Sequence, residues 1–377
     1  MREIYLDANA SAPLRPEARA ALAAALAIGP GNASSPHGAG RRLRKLLGDA
    51  RAEVAALVGA RETEVVFTSG ATESNALALL GALAARPGAL VLSRAEHASV
   101  LALAGRAAEE GREVRFAGVD RWGRFDEDEV VRLADGAAVV AATLAQSVTG
   151  ALQPVAGLAR RLRGAALHAD AAQAAGRTLV DFAALGAATL SVSAHKIGGP
   201  QGVGALVIRE SAAWRNPLGD FTQERGRRGG TEAVALAAAF GAAAAAARAR
   251  GAEERETMAS RTAALRAGVL AIPDAEVLTP SEGALPNTLL IAFDGCPGDA
   301  VMAALDARGV RVSTGSACAS GARLPPDVLL AAGRSRADAA RAVRFSVSAE
   351  TSAEEIRVAT AELSEVVARV RAAGATS

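Results

Sequence analysis

Short apolar runs and longer stretches of helical periodicity alternate along most of this chain. Between residues 41 and 58 the apolar positions Leu43, Leu46, Leu47, Ala50, Val54 and Leu57 recur at the spacing of one helix face, which predicts an amphipathic helix. An earlier helix is expected from Pro16, a favoured first helical position, to about Ala27. From residue 64 a pattern repeats: apolar strand, polar turn bearing glycine, helix. It predicts strands at 65–68, 90–93, 114–117, 138–144, 166–169, 190–193 and 203–208. Seven strands, mostly separated by helices, describe an α/β sheet that is largely parallel and covered on both faces. The last two are joined by only about nine residues, too few for a helical crossover, so that pair is expected to be antiparallel. Ligands of such sheets bind at the carboxyl ends of the strands, and the polar segments of this chain fall there.

An Ala-rich helix, expected from about Thr231 through Arg250 and on to Ala267, leads to a second set of elements. These are strands at 288–293, 310–313 and 342–346 and a terminal helix from Ala353. The 377 residues suffice for two cores. The expected division is a large domain over 12–255 and a small α+β domain built from 1–11 and 256–377.

Composition narrows the function. The 42 basic and 40 acidic residues are interspersed, leaving no electrostatic footprint for nucleic acid, and 3% aromatic content supplies few stacking platforms. No apolar run reaches the eighteen or so residues of a membrane span, and Met1-Arg2-Glu3 opens no signal-peptide core, so a cytoplasmic protein is expected. The two cysteines, Cys296 and Cys318, make neither a disulfide framework nor a zinc spacing.

The candidate chemistry centres on Ser193-Ala194-His195-Lys196-Ile197-Gly198-Gly199. A lone Lys is ordinarily a solvated charge, but this one follows His between two apolar runs, and glycines let backbone approach closely. Desolvation there lowers an amine's pKa and makes it a nucleophile able to form a Schiff base. Thr68-Ser69-Gly70-Ala71-Thr72 follows a strand and opens a helix, either as a plain helix cap or as a phosphate cradle. Asp170 ends a strand, where it either caps the next helix or meets a cation such as a protonated pyridine. The four histidines, His37, His97, His168 and His195, are all expected in polar turns beside strands or helix starts. Residues 223–231 form either a basic surface loop or a segment delivering Thr231 to a phosphate. Cys318 lies among small residues, which favours a reactive thiol, and Arg344 lies mid-strand, where a bidentate carboxylate would fit it.

Taken in order, these segments resemble the cysteine desulfurases of the NifS/IscS type, in the class V group of fold-type I pyridoxal phosphate enzymes. The resemblance also rests on Tyr5-Leu6-Asp7, Gly31-Asn32-Ala33-Ser34-Ser35-Pro36-His37, Glu96-His97, His168-Ala169-Asp170-Ala171-Ala172-Gln173 and Gly315-Ser316-Ala317-Cys318, nearly the whole chain. It implies that Lys196 carries pyridoxal 5'-phosphate and shuttles a proton, that Asp170 pairs with the ring nitrogen, and that Gln173 meets the phenolic oxygen. His97 would stack on the ring and transfer protons. Ala71, Thr72, Ser193 and His195 would hold the phosphate, joined by Thr231 from the other subunit of a homodimer. Asn32 and Arg344 would bind the carboxylate of L-cysteine. Cys318 would take the sulfur as a persulfide, release alanine and pass the sulfur to an acceptor or scaffold protein. The resemblance implies no resident metal, Cys318 being at most a transient iron–sulfur ligand.

The chain departs from that pattern in three places. The family's Asn-Asn-Glu-x-Gly becomes Gln146-Ser147-Val148-Thr149-Gly150, so Ser147 replaces the Asn that contacts cofactor and substrate. The Gly-rich segment before Gln223 becomes Leu218-Gly219-Asp220-Phe221-Thr222, and Ala33 replaces a Pro. These departures leave two alternatives open: a related lyase with altered substrate, such as a selenocysteine lyase, and a non-catalytic sulfur carrier.

Overall fold

The computed structural model describes residues 3–315 and 326–374. Its strands are β1 (Ile4–Tyr5), β2 (Val65–Thr68), β3 (Ala89–Ser93), β4 (Val114–Ala117), β5 (Ala137–Thr143), β6 (Ala166–Asp170), β7 (Thr189–Ser193), β8 (Gly204–Ile208), β9 (Ala275–Val277), β10 (Thr288–Phe293), β11 (Val310–Arg311) and β12 (Ala342–Ser346). The first helices are α1 (Pro16–Leu26), α2 (Gly38–Leu57), α3 (Ala71–Ala85) and α4 (Ala98–Glu109). Then come α5 (Glu127–Leu133), α6 (Val155–Arg161), α7 (Phe182–Leu185) and α8 (Val234–Leu270). The last are α9 (Gly298–Asp306), α10 (Asp327–Ala331), α11 (Arg336–Ala339) and α12 (Ala353–Gly374).

β2 to β8 make one seven-stranded sheet in the order β2-β8-β7-β6-β5-β3-β4. The pairs from β4 through β7 are parallel, and β8 runs antiparallel to both β7 and β2. This is the α/β sheet the apolar runs predict, with each strand within about one residue of its expected bounds. The short connection before β8 forces the one reversal. The reversal leaves Thr68, Ser93, Thr143, Asp170 and Ser193 as strand ends along one edge, where β8 starts at Gly204. That edge forms the floor of the site.

A core of Val, Leu, Phe and many Ala residues packs under the sheet, and α1 and α2 lie against the first half of α8. A second core joins Ile4 and Leu6 to Met258, Leu265, Leu289, Phe345 and Leu363, beside the antiparallel sheet β12-β10-β9. α8 is one continuous 37-residue helix whose apolar contacts contribute to both cores. Two short strands, β1 and β9, were not expected, and β11 ends two residues early, with Ser313 in an isolated bridge to Arg344. His168 corrects the turn expectation: it is the third residue of β6 and is fully buried. No helix among the described residues is long and apolar enough to cross a membrane.

Candidate active site

A cavity of about 440 Å³ opens at the carboxyl edge of the large sheet. Ala71, Thr72, His97 and Ser147 line it, together with Asp170, Gln173, Ser193, His195, Lys196 and Arg344. Asn32 and Thr231 do not line it within this chain. Both are exposed, and the Asn32 side chain accepts the Ser34 amide at 2.8 Å. Cys318 lies outside the described residues.

β7 ends at Ser193, and one tight turn, Ala194–Lys196, carries the lysine over the cavity. The Lys196 amine donates to the carbonyls of Asn9 and, at 2.9 Å, Ala10, so the N-terminal segment is a wall of the site. Asn9 is 1% exposed and ties that wall down: its side chain donates to the Ser147 carbonyl at 3.1 Å and the Thr288 hydroxyl at 2.8 Å. Asn287 donates to Asn9 Oδ1 at 3.0 Å, and Gln173 Nε2 donates to the Asn9 carbonyl at 3.0 Å.

At the next strand end Asp170 is held by a relay of buried groups. Its Oδ2 accepts Asn75 Nδ2 at 2.8 Å and its Oδ1 accepts the Ala172 amide at 2.9 Å. With its amide committed to Asp170, Asn75 presents Oδ1 to His168 Nε2 at 2.9 Å, which makes His168 the donor there. His168 Nδ1 then accepts the Thr189 hydroxyl at 2.9 Å. Burial pushes the His168 pKa down, against the opposing pull of Asp170, which keeps the imidazole neutral. Thr189, His168 and Asn75 thus aim a carboxylate into the cavity.

α3 begins at the same edge. Its N-cap is Gly70, so the amides of Ala71 and Thr72, which like all first-turn amides lack an intrahelical acceptor, receive no side-chain cap from it either. Room for this turn comes from Gly204: a Cβ there would meet Gly70 Cα and the Val192 carbonyl at 2.6 Å each. His195 stands nearby with its pKa lowered to about 4 by burial, then by Lys196 and Arg177, so it is a neutral hydrogen-bonding ring. His97 caps α4, with Nδ1 accepting the Ser99 amide at 3.2 Å; a neutral ring there carries its proton on Nε2. Next to it Glu96 is buried, its pKa raised to about 8 chiefly by burial.

Arg344, 4% exposed in β12, donates to Asp7 Oδ1 at 2.7 Å and to the Ser147 carbonyl at 3.1 Å. Its Nε is buried without a partner. Such an orphaned donor is costly unless an anion meets it. Arg177 stands behind, buried, donating to Gln173 and to the carbonyls of Ala8 and Lys196; burial lowers its pKa to about 9. Asp7, Asn9, Asn75 and Arg177 were assigned no role from the sequence, because each acts through partners remote in the chain. Cys296 is a core residue whose thiol burial pushes up, so it is no candidate nucleophile.

This donor set suits a phosphorylated pyridine aldehyde: uncapped helix amides and hydroxyls for the phosphate, a buried carboxylate for the ring nitrogen, an amine for the aldehyde. The chain belongs to the aminotransferase class-V family, whose model matches residues 4–358, and that family is one of pyridoxal-phosphate enzymes. Within it, the chain is 39% identical over 373 residues to a cysteine desulfurase of Rhodobacter capsulatus, across 98% of this chain and 97% of the relative. It is 37% identical over 379 residues to the cysteine desulfurase NifS of Azotobacter vinelandii, across 98% and 94%. Among solved structures, a NifS-like protein matches with a TM-score of 0.90 at 28% identity, across 98% of this chain and 100% of that one. A structure described as SspA in complex with cysteine matches with a TM-score of 0.80 at 25% identity, across 93% and 100%.

Proposed function

We propose that this protein is a pyridoxal-phosphate-dependent cysteine desulfurase that converts L-cysteine to alanine and passes the sulfur to Cys318. The observation that carries the reading is one cavity uniting the Lys196 amine, the aimed Asp170 carboxylate, the uncapped start of α3 and Arg344. Lys196, Asp170, Gln173, Ala71, Thr72, Ser193 and His195 would hold the cofactor. When bound, it supplies an electron sink that acidifies the substrate's α-carbon.

The chain's own groups do the rest. Arg344 fixes the substrate carboxylate, with Asp7 orienting its guanidinium through Nη2. Lys196 Nζ takes the proton from the substrate α-carbon, and His97 serves proton transfer through Nε2. The Cys318 thiol accepts the substrate's sulfur: the Cβ–S bond breaks, an S–S bond forms and a proton ends on Cβ, so that cysteine and a thiol become alanine and a Cys318 persulfide. Thr231, exposed on this chain, would complete the phosphate site of a second copy, and Asn32, which does not line the cavity of its own chain, would reach substrate only from another copy. The persulfide would serve an acceptor protein in iron–sulfur cluster or thiocofactor assembly, in the cytoplasm.

Mass spectrometry of the protein after L-cysteine treatment tests the sulfur step. The parent protein should gain one sulfur atom on the peptide containing Cys318, and Cys318→Ala should gain none while still binding cofactor. Sulfide release by Cys318→Ala at the parental rate would overturn the assignment.

A further inference from the structure

The buried face of α2 carries a cation. Arg51 is 6% exposed, lies 4.8 Å over the Phe67 ring, and grips both carboxylate oxygens of Glu224 at 2.7 and 2.8 Å. Glu224 is equally buried, and its Oε2 also accepts the Phe67 amide at 2.9 Å, while Arg51 donates to the Val65 carbonyl at 2.6 Å. Val65 and Phe67 belong to β2, the strand that runs directly into the cradle at 68–72. The pair therefore fastens residue 224 to the root of that cradle.

The backbone at this point is one that side chains avoid. Glu224 and Arg225 both have positive φ, 46° and 57°, in the left-handed region. Two such residues in succession persist only where the surroundings over-determine them. A second tie follows: Arg228 Nε donates to Glu73 Oε1 at 2.9 Å, and Glu73 Oε2 accepts the Ser69 amide at 2.5 Å. Three residues later comes Thr231.

We infer that Arg51 and Glu224 are positioning residues: by holding the 224–225 backbone against β2 they set where Thr231 is presented, and so the cofactor affinity of the second copy's phosphate site. The inference rests on Thr231 acting across the dimer, as proposed above. A buried pair that served folding alone could be exchanged for apolar residues with cofactor binding by the folded protein unchanged. A pair that shapes a strained loop could not.

The test is titration of the cofactor-free protein with pyridoxal 5'-phosphate, followed by absorbance, with melting recorded separately. Thr231→Val and Glu224→Gln should each raise half-saturation about tenfold, and their combination should be no worse than Thr231→Val alone, because both act through one contact. Replacing Arg51 and Glu224 together by Leu removes the partners of the Phe67 amide and the Val65 carbonyl, so the melting temperature of the cofactor-free protein should fall, and at a temperature where the variant is folded its cofactor binding should still be weakened about tenfold. Parental affinity in the Glu224→Gln or the double-Leu variant, with Thr231→Val weakened, would overturn the positioning role alone. An additive loss of about 100-fold in the combination would also overturn it. Parental affinity in Thr231→Val would overturn the cross-subunit reading and the inference with it.

Discussion

Ser147 is where a single side chain departs most from the desulfurase pattern, and the structure narrows what it changes. The position serves the site through its carbonyl, which accepts both Asn9 and Arg344, and that contact is indifferent to the side chain. The missing element is the reach of an Asn amide into the cavity, worth about 1–2 kcal/mol. Ser147→Asn is therefore expected to raise kcat/KM for L-cysteine about tenfold, read as alanine formation; an unchanged or lower value would show that the cavity has re-formed around Ser. Asn9 is the opposite case. Its loss would take one partner each from the buried Thr288 hydroxyl, which keeps Asn287 Oδ1, and the Asn287 amide, which keeps the Val347 carbonyl, so Asn9→Ala should cost about 1–2 kcal/mol in urea unfolding, and a cost under 0.5 kcal/mol would refute its role as the tie between segments. Residues that carry the bond-making chemistry were legible in the sequence because they sit in short motifs at strand ends. Asn9, Arg177 and the Arg51–Glu224 pair were not, since a buried polar group shows its purpose only beside partners from distant segments. Arg51 did leave a trace, as a charge on an otherwise apolar helix face.

At the scale of elements, apolar periodicity read the large sheet to within about a residue, down to its antiparallel strand. It missed β1 and β9, of two and three residues, because so few positions cannot show an alternation. The 223–231 segment was the larger ambiguity. Glycine and arginine content suits a solvated loop, and the buried Glu224 carboxylate and the Arg228–Glu73 pair reveal that it is fastened. Element spacing also yields a test. Gly204 starts β8 directly against Gly70, with backbone on every near side, so Gly204→Ala must push the strand from the cradle. Cofactor half-saturation should rise at least tenfold; unchanged affinity would mean that the turn preceding α3 does not hold the phosphate.

Across the whole molecule, burial of ionisable groups around the site sets how stability varies with pH. His168 and His195 are both held neutral, His195 down to about 4, so the stability they contribute is full above about pH 6.5 and is lost as pH falls toward 4. Glu96 acts in the other direction. Its carboxyl keeps its proton up to about pH 8 when folded, so stability is lost as pH rises from the unfolded value of 4.5 toward 8. Between 4.5 and 6.5 the two trends oppose one another, and between 6.5 and 8 Glu96 sets the trend, the window of Arg177 lying above about 9. Glu96→Gln should therefore abolish the decline in urea midpoint between pH 6.5 and 8; a slope equal to the parent's would show that Glu96 is already ionised.

The most direct test of the desulfurase assignment is one experiment on the parent protein and Lys196→Ala: an absorption spectrum after removal of free cofactor, with alanine and sulfide measured from L-cysteine under reductant. The parent should retain a visible cofactor band and form alanine and sulfide in equal amounts, and Lys196→Ala should lose the band's lysine-bound form together with alanine production. A parent protein with the band but no alanine, or with no band at all, would contradict it.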